Sequence, residues 1–189
     1  MIFNHNIVQR SDRILFDNGY IHEKIGGKFS WSYGGTDDNA RPIIGETIKL
    51  YANPKADTEI ISDSTVYKAK TIDLTNVNRI NVQCECELWY TKGYTPYLNI
   101  GVFDKNANFG YYTDLGGIYS VKATKFEGSP NTSGLVANQN YLASLTKDAP
   151  ITLDVSDLDG EYKFAISAVA RPNKYVKPIT TYIYRIWLE

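Results

Sequence analysis

Residues Arg79 to Thr91 read RINVQCECELWYT, and their alternation decides the fold class. Ile80, Val82, Cys84, Cys86, Leu88 and Tyr90 fall on one side of an extended chain, and Asn81, Gln83, Glu85, Glu87 and Trp89 on the other. A period of two residues over this length predicts a strand with one buried face. The same rule predicts strands at Glu46–Ala52, Tyr97–Phe103, Ile151–Val155 and Glu161–Val169. In the last of these, Tyr162, Phe164, Ile166 and Ala168 form the expected buried side. Ile179–Leu188 differs: Tyr182, Tyr184, Ile186 and Leu188 oppose Thr181, Ile183, Arg185 and Trp187, so it reads as apolar on both faces. Such a pattern suits a strand buried between layers or capped by a partner.

Turn signals separate these runs, among them Asp17-Asn18-Gly19, Gly34-Gly35, Asp104-Lys105-Asn106, Gly116-Gly117 and Asp159-Gly160. Short strands at this spacing predict an all-β chain, an antiparallel β-sandwich of jelly-roll type with at most one short helix. Ser133–Lys147 is the place for that helix, through Leu135, Leu142 and Leu145, with an irregular strand as the alternative. Residues 1–30 are less regular and are expected to form an N-terminal arm or a closing strand, with 31–189 a single sandwich domain. Asp73-Leu74-Thr75-Asn76-Val77 and Asp154-Val155-Ser156-Asp157-Leu158 echo one another, which reads as repeated turn chemistry.

Composition narrows the function. The 189 residues carry 20 Lys and Arg against 21 Asp and Glu, a net charge of −1. That balance supplies no field for nucleic acid or an anionic membrane. No run approaches the roughly 18 apolar residues of a membrane span, and MIFNHNIVQR lacks the features of a signal peptide. With 15 Tyr, 7 Phe and 3 Trp against 2 His and 2 Cys, the chain favours surfaces that bind over sites that transfer protons. Cys84 and Cys86, two residues apart on one strand face, lack the further ligands of a zinc site and read as reduced core residues.

No G-x-S-x-G elbow or phosphate loop is present, no pair of acids is singled out, and the expectation is a non-enzyme. Asp154–Ile166 fails the EF-hand pattern at Val155 and Ile166. Asp37, Asp38 and Asn39 form a better oxygen-rich cluster, a candidate for a structural calcium or else a solvated turn; no other cofactor is expected. Trp31 and Tyr33, Trp89 with Tyr94 and Tyr97, and Tyr111 with Tyr112 lie off the apolar faces or between strands. Flat apolar rings with polar tips suit stacking on sugars or packing in protein interfaces, so these seven are the candidate carbohydrate-binding residues.

The order LFDNGY (15–20), GGKFSWSY (26–33), TIDLTNVNRINVQCECELWY (71–90), LNIGVFD (98–104) and APITLDVSDLDGEYKFAISAVA (149–170) resembles β-sandwich proteins of phage and prophage tail modules of Gram-positive bacteria. It departs from them at Phe29-Ser30-Trp31, where the pattern often has Trp directly after the glycines. The family is similar to galactose-binding-like carbohydrate modules and has no agreed catalytic residues. The resemblance implies a virion surface protein of tail fibre, baseplate or decoration type, made in the host cytoplasm. It also implies a homo-oligomer, a trimer or larger, with other virion proteins and cell-wall glycan as partners. The alternative is a carbohydrate-binding module or a hydrolase acting on cell-wall polysaccharide.

Overall fold

The structure, a computed structural model, describes residues 13–34, 40–53, 62–90, 97–109, 120–126, 139–145, 148–170 and 179–189, with the backbone alone at 62, 88–90 and 139–145. These residues form fourteen strands: β1 (Ile14–Asp17), β2 (Tyr20–Ile21), β3 (Phe29–Gly34), β4 (Ile43–Ile44), β5 (Ile48–Ala52), β6 (Ser62–Lys68), β7 (Ile72–Asp73), β8 (Arg79–Tyr90), β9 (Tyr97–Phe103), β10 (Ser120–Phe126), β11 (Gln139–Leu145), β12 (Ile151–Asp154), β13 (Glu161–Ala170) and β14 (Ile179–Leu188). No α-helix occurs among the described residues. Of the helix and the irregular strand left open for 133–147, residues 139–145 take the strand: they are β11, zipped residue by residue against β8 from Gln139↔Tyr90 to Leu145↔Cys84. Backbone pairing with a long neighbouring strand outweighs the scattered leucines of that segment.

The strands make an antiparallel β-sandwich of jelly-roll type, one sheet of eight strands and one of six. In the larger sheet, β8 and β14 lie side by side. The far edge of β8 is covered by β12 along Arg79–Val82 and by β11 along Cys84–Tyr90. The far edge of β14 is covered by β5 along Ile179–Ile183 and by β1 along Arg185–Trp187. The smaller sheet runs β10-β9-β13-β6-β3, with β7 on β13. Between residues 13 and 30 lie β1, β2 and the start of β3, and Leu15 and Phe16 on β1 are fully buried. Residue 30 lies inside β3.

Ile80, Val82, Cys84 and Cys86 of β8 face Val66, Leu98, Ile100, Val102, Phe164 and Ile166 of the smaller sheet in one core cluster. The two thiols are free and buried, their sulfurs 3.9 Å apart. Contact with Cys86, together with burial, raises the Cys84 thiol above its ordinary range. β13 departs from the alternating expectation: Phe164 through Ala170 are buried on both faces. On its outer side Thr65 Oγ1 donates to Asp63 (2.9 Å) and shares a 2.7 Å hydrogen bond with Ser167, all three at 1% exposure or less. Phe109 packs there on Phe103, with ring centroids 5.1 Å apart, and on Tyr67, at 4.9 Å.

Local chemistry sets the corners. Asn18 and Gly19 take φ of 44° and 90° in the two-residue link between β1 and β2, the conformation of a type I′ hairpin turn. The two Asp-initiated echoes are one device used twice. Asp73 Oδ1 accepts from Thr75 N (2.9 Å) and Asp154 Oδ1 from Ser156 N (3.0 Å). The turns then close by matching 2.9 Å bonds, Val77 N to Leu74 O and Leu158 N to Val155 O. These hydrogen bonds hold both carboxyls below the usual range.

Lys68 is the one cation buried at 0% exposure among the described residues. Its Nζ donates to Gly27 O (2.6 Å) and His22 O (3.4 Å) and lies 4.5 Å from the Phe29 ring centroid. Gly26, at φ +70°, crosses directly above: a Cβ there would come 2.7 Å from Ile72 Cγ2. Burial pulls the amine from 10.5 down to about 8, against the opposing pull of Glu23. Below pH 8 Lys68 is charged in both folded and unfolded chains. Between about 8 and 10.5 the unfolded chain holds the extra proton, so this residue adds stability as pH rises, by up to about 1.4 kcal/mol per pH unit. Urea unfolding across that window should show a rise that Lys68→Met removes; an identical pH dependence in both proteins overturns the assignment. Both thiols should resist a thiol reagent in native buffer and react in denaturant, and rapid native labelling contradicts their place in the core.

Candidate functional site

The two outer surfaces of the sandwich differ. Along β6, β9 and β13 most outer residues of the smaller sheet are buried, among them Asp63, Thr65, Tyr97, Phe103, Ser167 and Val169, while Tyr67, Asn99 and Lys163 are partly so. The outer face of the larger sheet is partly open, and aromatic residues line it. Its arrangement follows from one irregularity in β14.

Against β8, Ile183 pairs with Cys84 and Arg185 with Gln83, so Tyr184 is an extra residue, a β-bulge. The phase of the strand flips at that point. Ile179, Thr181 and Ile183 face the core before it, and Ile186 and Leu188 face the core after it. The outer side therefore collects Thr180, Tyr182, Tyr184, Arg185 and Trp187, all partly buried. The two-sided apolar strand expected from strict alternation is a one-sided strand with a phase change.

Neighbouring strands add polar groups. Tyr182 lies between Glu85 of β8 and Lys49 of β5, whose Nζ is 5.8 Å from the Tyr182 ring centroid. Thr180 lies between Glu87 and Tyr51. The Tyr184 hydroxyl donates to Glu85 Oε2 at 2.9 Å. Desolvation, reinforced by that carboxylate, holds the phenol above its ordinary range. Arg185 sits 5.4 Å from the Trp187 ring centroid and 3.5 Å, through Nε, from Asp17 Oδ2. At the lower end Asn81 donates to Glu189 Oε2 (3.0 Å) and accepts from Thr152 Oγ1 (2.8 Å). From Tyr182 to Trp187 the row is roughly 13 Å long, four steps of β8 at about 3.3 Å per strand residue. Rings with polar tips beside carboxylates and amides can stack on the apolar face of a sugar and accept its hydroxyl protons.

The seven aromatics singled out from sequence do not form one site. Trp31 and Tyr33 lie on edge strand β3, not in a loop; their ring centroids are 5.9 Å apart and Trp31 is 37% exposed. Tyr97 begins β9 and is buried at 7% exposure, with Lys125 Nζ 4.1 Å from its ring centroid, so it is not an exposed loop residue. Trp89 is placed on β8 by its backbone. Tyr94, Tyr111 and Tyr112 lie outside the described residues, as do Asp37, Asp38 and Asn39. Among the described residues no group of three or more His, Cys, Asp or Glu is arranged to hold a metal ion. Tyr182, Tyr184 and Trp187 were missed because alternation divided them between two faces. The available signal was the conflict itself, aliphatic residues in both phases of one strand, which a single bulge resolves.

No family model matches the chain, and no curated protein matches it. Solved structures do. A carbohydrate-binding module in complex with β-1,4-galactotriose is 10% identical, the match covering 90% of this chain and 97% of that one at a TM-score of 0.36. A module specific for non-crystalline cellulose is 10% identical, covering 94% and 92% at 0.41. The metal-free lectin I-B4 of Griffonia simplicifolia is 12% identical, covering 86% and 92% at 0.42. These are β-sandwich carbohydrate-binding modules and a lectin, and at such values the likeness assigns no residue a role.

Proposed function

We propose that the chain is a non-catalytic carbohydrate-binding domain whose ligand lies along the outer face of β14. The observation that carries this reading is the partly exposed row Tyr182, Tyr184 and Trp187, flanked by Gln83, Glu85 and Lys49, on a sandwich whose other outer face is mostly buried along β6, β9 and β13. The rings supply stacking area at low entropic cost, and the fixed polar groups supply orientation.

On this face Glu85 and Glu87 are read as acceptors for sugar hydroxyls, a role Glu85 already plays toward the Tyr184 hydroxyl. The virion role implied by the tail-module resemblance, with its trimeric assembly, draws no support from the comparisons; a glycan-binding domain is compatible with it and does not require it.

A glycan array that includes β-1,4-galacto-oligosaccharides and soluble cello-oligosaccharides, run with and without calcium, tests the reading. Tyr182→Ala and Trp187→Ala should each weaken binding about tenfold with unchanged thermal unfolding, the expected scale for one lost stacking contact. Absence of binding by the unmodified chain, or unaltered affinity in both variants, overturns it. A calcium requirement would direct attention to Asp37, Asp38 and Asn39.

A further inference from the structure

Edge strand β3 carries a second polar-aromatic group of different chemistry. Arg41, itself exposed, places its guanidinium carbon 4.3 Å from the centroid of the Trp31 ring. Tyr33 lies on the other side of one intervening residue, its ring 5.9 Å from that of Trp31 and inclined at 35°. Lys28 pairs with Glu23, Lys122 with Asp157 and Arg185 with Asp17, and none of these pairs uses Arg41.

A guanidinium resting on an indole is held by its weakly hydrated face and keeps its N–H fork for a ligand. Packing against the ring has already removed part of the side chain's rotamer freedom, so less is lost when a ligand binds. Each side chain here can donate, the guanidinium only donating, the indole through its N–H and the phenol through its O–H, which can also accept. That set calls for a planar acceptor bearing a single negative charge, and a carboxylate matches the fork in two parallel hydrogen bonds. A phosphate monoester would bring nearly twice the charge to one cation. The β14 face is of mixed charge, with Glu85 and Glu87 beside Lys49 and Arg185, so it offers no comparable site for a lone anion.

We propose that Arg41, held over Trp31 beside Tyr33, forms a second binding site that takes the carboxylate of an acidic sugar. The site is separate from the β14 face and shares with it only the reading that the ligand is a saccharide. Titration calorimetry with trigalacturonate, its methyl ester, sulfated dextran and sodium acetate tests it in the full chain. Trigalacturonate should bind with an affinity that falls as salt is raised. Methyl esterification or Arg41→Ala should weaken binding about tenfold or more, and Arg41→Lys, which keeps the charge and loses the fork, severalfold. Tyr182→Ala with Trp187→Ala should leave it unchanged, so failure of the β14 reading is read separately. The proposal is overturned if trigalacturonate does not bind, if the ester binds as well as the acid, or if Arg41→Ala binds normally in a protein with native circular dichroism. Equal binding of sulfated dextran or of acetate overturns it as well, since each would show an anion site without the proposed carboxylate or sugar preference.

Discussion

Two long strands, β8 and β14, run antiparallel through the larger sheet, and their ladder contains one residue too many on the β14 side. If β14 kept strict alternation, Ile179 and Ile183 would face the core only by turning Ile186 and Leu188 to solvent. The bulge at Tyr184 lets all four enter the same core cluster. It also marks the place where β14 exchanges one outer neighbour for another, from β5 to β1. A bulge interrupts the ladder, and an unpaired buried carbonyl is costly. The Tyr184 carbonyl is satisfied from outside the β8–β14 pairing, by Asn18 N at 2.9 Å from the β1–β2 turn. The hairpin at the start of the chain and the last strand therefore depend on each other.

The same irregularity shapes the candidate binding face. Because the bulge places Tyr184 and Arg185 consecutively on the outer side, the row is denser than alternation permits. Glu85 fixes Tyr184, Lys49 lies over Tyr182, and Asp17 with Arg185 lies beside Trp187. On the smaller sheet, Phe109 and the Asp63–Thr65–Ser167 hydrogen bonds sit on outer positions that are fully buried. The sandwich thus has one outer face closed along its central strands and one that is open and polar-aromatic. Its β3 edge adds Arg41 on Trp31, a guanidinium stacked on an indole, where the open face mixes carboxylates and cations.

The buried amine of Lys68 is placed where backbone carbonyls accept from it. Lys68 sits under Gly26 and Gly27 because its amine finds two carbonyls and the Phe29 ring, which offset part of the cost of removing it from water. Gly26 makes this closure feasible, since a side chain at that backbone angle would collide with Ile72. Deleting the amine while leaving the carbonyls in place tests that arrangement through its proton linkage.

Much of the fold was legible along the chain. Alternation located β5, β8, β9, β12 and β13, the Asn18-Gly19 pair marked a hairpin, and the repeated Asp-initiated turns were recognisable because their hydrogen bonds close within five residues. These features depend on neighbours in sequence, and sequence determined them. Tertiary structure decided the rest: that residues 139–145 pair as a strand, that Tyr97 is buried, that both faces of β13 are covered, and that β14 carries its bulge at Tyr184. It alone brought Arg41 over Trp31 and gathered Tyr182, Tyr184 and Trp187 on one surface. Each of these outcomes depends on which distant strand pairs alongside and in what register, and a period of two residues carries no information about that partner.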